Sequence, residues 1–283
     1  MPRRWRWAIP YLFLIPGGLW LLAFFVVPML VMASVSLQEG SLGTGYTLTW
    51  NFGVYPETLQ QWAPQFGRSF VYALIVTALT LLIGYPMAYT IAFRGGRFKN
   101  LLLLLVILPF FTAYIIRTLS WKLILSDQGV FLGTLKDVGI LDDGFRLIAT
   151  PIAVISGLTY NFLPFMVLPL YVALEKIDVR LVEAANDLYA SRLEAFLRVT
   201  LPLSIPGVFA GSLLTFIPAI GDFINSEILG SRDTTMIGQV IQRLFLNNNA
   251  YPEAAAIGFT LMAGVLLLVF VYARAVGSDR LTS

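Results

Sequence analysis

The 283 residues are 58% hydrophobic and 12% charged, contain neither Cys nor His, and carry a formal charge of +3; the mean hydropathy is +0.78. A soluble domain usually carries about 25% charged residues, so this composition points to lipid. The missing residue types exclude disulfides, thiolate nucleophiles, imidazole bases and His/Cys metal sites, and the small net charge excludes the basic surface that nucleic-acid binding requires.

Charge-free intervals organise the chain, separating Arg6 from Glu39, Arg68 from Arg94, Arg146 from Glu175, Arg198 from Asp222 and Glu253 from Arg274. Each reaches the ~20 residues that cross a bilayer core as a helix. A sixth interval, Lys99 to Arg117, is shorter, and its LLLLLVILPFF core extends to Trp121 if Arg117 snorkels or faces protein. The expected fold is therefore an all-α membrane protein, a single domain over 1–283 with six transmembrane helices near 10–36, 69–93, 100–121, 148–173, 203–224 and 254–273. Helices are expected because backbone polar groups in lipid must bond internally, and no alternation of about ten residues recurs to suggest a barrel.

Orientation follows from the basic residues. With both termini in the cytoplasm, Arg3, Arg4, Arg6, Arg94, Arg97, Lys99, Lys176, Arg180, Arg192, Arg198, Arg274 and Arg280 lie inside. Arg68, Arg117, Lys122, Lys136, Arg146, Arg232 and Arg243 then lie outside or at that edge, which is the bias expected of a membrane protein. The N-terminal segment begins like a signal peptide, but its apolar stretch far exceeds an h-region of about 7 to 15 residues. It reads as an uncleaved first span, with cleavage after the VMA at 31–33 as the lesser alternative.

Gly and Pro interrupt several spans: Pro16, Gly17, Gly18 and Pro28 in the first, Gly84 and Pro86 in the second, Pro109 in the third, Pro164 and Pro169 in the fourth. They fit kinks and close helix packing, or hinges around a substrate route, and the residues leave both open. No internal repeat is evident, which weighs against a secondary transporter built from duplicated halves. Between the third and fourth spans, DQGVFLGTLKDVGILDDG is expected to form a short membrane-parallel helix that contacts a delivering protein.

Residues 175–204, EKIDVRLVEAANDLYASRLEAFLRVTLPLS, combine strong helix formers with mixed charge and are expected to fold into short helices. Leu181, Ala184, Ala185 and Leu188 share one face at helical spacing, and Leu193, Phe196 and Leu197 form a second apolar stripe. By pattern alone this is an amphipathic hairpin on the membrane or on its own bundle, or a helix that docks in a partner's groove.

The run Glu183-Ala184-Ala185, followed by Ala190, Phe196, Leu201-Pro202 and Pro206-Gly207, resembles the EAA signature of importer-type ABC transporter permeases. That resemblance implies a type I importer fold in which 175–204 is the coupling loop, with Glu183, Ala184, Ala185, Tyr189 and Ala190 seated on a cytoplasmic ATPase. Acidic Glu183 suits a basic partner group, and the two alanines permit close helix approach. The chain departs from the family at Tyr189, where Gly usually turns the chain with positive φ at less cost. LPFFTAYIIRTLSW at 108–121, FLPFMVLPLYVALEKID at 162–178, PAIGDFINSEILG at 218–230 and MIGQVIQRLFLNNNAYPEAAA at 236–256 are similar to the permeases of spermidine/putrescine importers, over about residues 10–273. The resemblance implies a bacterial inner-membrane complex of an ATP-binding subunit dimer, a second related permease and an extracytoplasmic substrate-binding protein. Relatives in this permease group carry other small solutes, so the substrate is the weaker implication.

A polyamine route needs carboxylates for ammonium groups and aromatic faces for methylenes. Asp222 and Phe223 at the outer end of the fifth span, Glu227 beside them, and Tyr160 and Asn161 in the fourth meet that need. Asp222 and Glu227 equally suit a membrane-edge acidic pair, and the aromatics suit lipid or packing contacts. Arg117, at a span end, is expected to pair with one of these acids or with a backbone carbonyl. No GxxxxGK[ST] loop is present, so the chain binds no cofactor of its own by that motif and ATP belongs to the partner ATPase. A secondary transporter or channel is the second function class, and an intramembrane enzyme the third. The composition excludes the metal and thiol versions of that enzyme.

Overall fold

The computed structural model describes residues 8–276; Arg3, Arg4, Arg6 and Arg280 of the expected inside set lie outside the described residues. The chain divides into two units, one comprising residues up to 63 with 241–263, the other 64–240 with the segment from 264 onward.

The first unit opens with an apolar helical run of α1 (Ala8–Leu21), a π-helical turn Leu22–Val26 and α2 (Val27–Ser36). The π turn has a local cause. Pro28 lacks an N–H and its ring would press on the carbonyl of Phe24, so a widened turn relieves the clash. A short antiparallel hairpin follows, β1 (Gln38–Ser41) and β2 (Gly45–Leu48), with Gln38 opposite Leu48, and then α3 (Val54–Gln61). Aromatic residues hold this unit. The Tyr46 hydroxyl donates to the Asn249 carbonyl, the Tyr46 and Phe245 rings lie 5.6 and 5.0 Å from Tyr251, and Trp62 Nε1 donates to Glu253 at 3.0 Å.

The second unit contains α4 (Ala63–Arg94), α5 (Lys99–Ile107), α6 (Tyr114–Leu125), α7 (Val130–Asp137), α8 (Pro151–Glu175), α9 (Val179–Asp187), α10 (Arg192–Ala195), α11 (Leu201–Ile220) and α12 (Ile224–Leu229). Two further helices, α13 (Ile237–Leu246) and α14 (Tyr251–Val276), have residues in both units. Among the described residues five helices or helical runs are long and apolar enough to span a membrane, and the bent pair Gly96–Phe111 and Tyr114–Asp137 raises the number to six. α7 supplies the short helix expected between the third and fourth spans.

Two expected spans need correction. The third is not one helix over 100–121 but two segments meeting at 93°. Pro109 lies in a 3-10 turn, Leu108–Phe111, and Thr112 is extended at φ −95° and ψ 138°. The fifth helix stops at Ile220, not 224, so Asp222 lies in the turn between α11 and α12. Pro16, Pro86, Pro164 and Pro169 all remain inside α-helices, so of the interrupting prolines only Pro109 marks a sharp break.

Helices α8 and α11 touch at their backbones. A Cβ added at Gly207 would lie 2.5 Å from Ala173 Cβ and 2.8 Å from the Pro169 carbonyl oxygen, and one at Gly211 would lie 2.8 Å from Met166 Sδ. Lipid tails are as apolar as Leu, so dispersion between closely approaching backbones has to hold such helices together. α4 joins the same face, burying Ala88 and Ile91 with Met166, Val167, Leu170 and Leu174. Gly207→Val is expected to destabilise the protein by about 1 to 3 kcal/mol through overpacking. Gly264→Val, where a Cβ meets nothing within 4 Å, should leave the midpoint unchanged in the same thermal melt in detergent.

Candidate functional site

Five side chains from three segments build a polar cluster inside the second unit. Asp222 is buried at the α11–α12 turn, and its Oδ1 accepts the backbone N–H of Asn225 at 2.8 Å, capping the first turn of α12. The same oxygen accepts Asn225 Nδ2 at 3.2 Å, while Oδ2 accepts the Tyr114 hydroxyl at 2.5 Å. Asn225 Nδ2 also donates to the Tyr114 hydroxyl oxygen at 2.7 Å. From α8, Asn161 Nδ2 reaches Asn225 Oδ1 at 3.2 Å and Thr118 Oγ1 at 3.3 Å. Every donor to the Asp222 carboxylate is therefore neutral, although a buried carboxylate usually recruits a cation.

Arg117 lies beside this cluster and remains unpaired. It is 7% exposed, and its Nε and Nη1 have no hydrogen-bond partner among the described residues. Among the described residues no acid or backbone carbonyl pairs with it, and the ion pairs there join Lys99 to Glu175 and both Lys136 and Arg146 to Asp127. Its guanidinium carbon instead lies 4.9 Å from the Phe110 ring centroid and 5.5 Å from that of Tyr114. Tyr114 engages both charges, offering its ring to Arg117 and its hydroxyl to Asp222.

The expected substrate-path residues divide. Asp222 and Asn161 enter the cluster. Tyr160 packs edge-on against Trp121 at 5.4 Å and has no hydrogen bond in the cluster. Phe223 is 39% exposed. Glu227 is exposed and accepts from Gln239 Nε2, whereas Asp222 is buried. Tyr114, Thr118 and Asn225 escaped the sequence reading. Their signal was spacing, because Tyr114 and Thr118 are four residues apart on α6 and Asn225 follows Asp222 by three.

The 175–204 loop folds as two short helices. Asp178 Oδ1 accepts the Arg180 N–H at 3.0 Å at the start of α9. Ser191 and Glu194 form a capping box at α10, with distances of 2.8 and 3.3 Å. Between them Tyr189 has φ 63°, its N–H donates to the Asn186 carbonyl at 2.9 Å, and the Ala190 N–H donates to that of Ala185 at 3.1 Å. This is a Schellman ending with Tyr where Gly is usual, at a conformational cost of about 1 to 2 kcal/mol. Glu183 and Ala184 are exposed, and Ala185 and Ala190 half-buried. Leu188 and Tyr189 are 81% and 98% exposed, and Leu181 and Leu193 are exposed as well. The second helix does not end in the loop. A π-helical turn, Phe196–Thr200, joins α10 to α11 ahead of Pro202, so Phe196 serves as an anchor, 5.6 Å from Tyr85 and 6.1 Å from Tyr89.

Residues 80–281 match the family model described as binding-protein-dependent transport system inner membrane component. The chain is 39% identical over 266 residues to the spermidine/putrescine transport system permease protein PotB of Haemophilus influenzae, covering 90% of each chain. It is 38% identical over 257 residues to PotB of Escherichia coli K12, covering 90% of this chain and 94% of that one. Among solved structures, it superposes with a TM-score of 0.73 and 24% identity on a chain of a bacterial alginate ABC transporter in complex with an alginate pentasaccharide-bound periplasmic protein, over 98% of this chain and 99% of the other.

Tyr114→Phe removes a donor from the buried Asp222 carboxylate and is expected to destabilise the protein by about 1 to 3 kcal/mol. Tyr160→Phe should leave the same detergent melt unchanged, because its hydroxyl has no hydrogen bond among the described residues.

Proposed function

The chain belongs to the family of inner-membrane components of binding-protein-dependent transport systems, and on that premise we propose that it is the permease subunit of an ABC importer for a small cationic solute of the spermidine/putrescine class. The single observation carrying the substrate class is 39% identity across nine-tenths of both chains to a permease named for spermidine/putrescine transport. Carboxylate and aromatic chemistry supports it. Asp222 offers a negative charge held only by neutral donors, and Tyr114, Phe162 and Phe165 supply aromatic faces nearby. Phe223, Glu227, Tyr160 and Asn161 complete the proposed path.

In this reading the 283 residues act as one transmembrane permease domain in the inner membrane, with both termini cytoplasmic. The chain performs no covalent chemistry and binds no cofactor; a cytoplasmic ATP-binding subunit dimer hydrolyses ATP. Glu183, Ala184, Ala185, Tyr189 and Ala190 present the docking surface to that dimer. Leu181, Leu188, Tyr189 and Leu193 are apolar surface left open around them, as docking into a partner's groove requires. A second related permease completes the pathway, and an extracytoplasmic binding protein delivers the solute.

Co-expression of the chain with its ATPase, second permease and binding protein, followed by uptake of labelled spermidine into vesicles, tests the proposal. Uptake is expected to require ATP and all components and to be displaced by unlabelled putrescine. ATP turnover by the assembled complex without spermidine uptake would discard the polyamine and leave a different small solute. Glu183→Arg is expected to abolish uptake while the subunit stays in the membrane; transport at the wild-type rate would remove Glu183 from the coupling surface.

A further inference from the structure

We propose that Arg117 is a specificity-determining residue that limits how tightly the transported cation is held beside Asp222. The inference rests on the reading of Asp222 as part of a cation path. A guanidinium buried to 7% exposure with two nitrogens unpartnered is strongly unfavourable for folding, and a nearby carboxylate would ordinarily quench it. Here Asp222 accepts instead from the Tyr114 hydroxyl and from the Asn225 backbone and side-chain N–H groups. Arg117 instead lies over the Tyr114 ring and beside Phe110. The two groups thus engage the same tyrosine, one at its ring and one at its hydroxyl, with no ion pair between them among the described residues.

A cation arriving at Asp222 meets both fields. The carboxylate attracts it, and Arg117 opposes it across Tyr114, whose ring face the guanidinium already occupies. A transport path has to release what it binds, so a well made by one buried carboxylate and several aromatic faces needs a counterweight. At an effective dielectric near 20, a unit charge even about 10 Å away changes the affinity of a cation by about tenfold. The opposition grows with substrate charge, so a trivalent polyamine is affected more than a divalent one. Such dependence on valence separates an electrostatic role from a packing role.

The test uses the complete importer in vesicles. Arg117→Gln is expected to lower KM for spermidine roughly tenfold and to reduce the maximal rate, with a smaller KM change for putrescine. Arg117→Lys should restore values close to wild type. A KM that is unchanged or raised, or equal effects of the Gln and Lys variants, would overturn the proposal. If Arg117→Gln does not assemble, Arg117→Met is measured instead; assembly of the Lys variant alone would assign Arg117 a structural role and overturn the proposal too. Failure of the underlying reading has a separate signature. Spermidine uptake by the Asp222→Asn importer at the wild-type KM would remove Asp222 from the path, and no uptake by the wild-type complex would remove the substrate class.

Discussion

The backbone contact between α8 and α11 is the constraint from which the second unit follows. Gly207 and Gly211 leave no room for a Cβ against Ala173, Pro169 and Met166, so the two helices approach as closely as helices can. That approach fixes the separation of Asn161 on α8 from the turn that follows α11. The hydrogen-bonded chain from Asn161 through Asn225 to Asp222 exists only at that separation. In lipid, where apolar burial between helices has little driving force, this dispersion contact stands where a hydrophobic core stands in a soluble domain.

The same helix extends the constraint in the other direction. Arg192–Ile220 is one helical run of 29 residues, about 43 Å long at 1.5 Å per residue. Its N-terminal cap, Ser191, closes the proposed docking loop, and its C-terminal end stands two residues before Asp222. A π-helical turn absorbs Pro202, as another absorbs Pro28 in the first helical run. In both places the run bends around the missing N–H without ending. Phe196 against Tyr85 and Tyr89, and the 2.8 Å hydrogen bond between Tyr85 and Ser204, tie the run to α4 near the loop. The proposed ATPase surface and the proposed cation site thus stand at opposite ends of one rod, which suits a movement imposed at one end to reach the other.

Charge placement around the polar cluster follows a single logic. Burial makes an unpaired charge costly, and the structure keeps Arg117 over the Tyr114 ring while Asp222 accepts from the Tyr114 hydroxyl. A stability argument alone would have Arg117 pair with Asp222. The 93° break at Thr112–Ala113 redirects α6 so that its first turn delivers Tyr114 to the carboxylate and Arg117 to the aromatic faces.

Much of this was legible in the residues. Charge-free intervals marked the membrane helices because an unpaired charge in lipid is expensive wherever it falls, and strong helix formers with mixed charge marked the loop helices because propensity acts within one or two turns. At Tyr189 the resemblance marked a departure that could alter the bend, and the structure keeps the positive φ with Tyr in the place of Gly. What the residues left open depended on partners distant in the chain. Arg117 was open to an acid or a backbone carbonyl, Asp222 and Glu227 to a substrate path or a membrane-edge pair, and nothing in the pattern singled out Tyr114, Thr118 or Asn225. Each of these is decided by which helices touch and at what angle. Hydropathy and helix propensity were enough to mark a multi-span helical protein with a helical loop, because they act over one or two turns; which polar groups meet depends on the tertiary fold, because a bend at one residue and a contact between two glycines and a facing helix set distances between side chains more than a hundred residues apart.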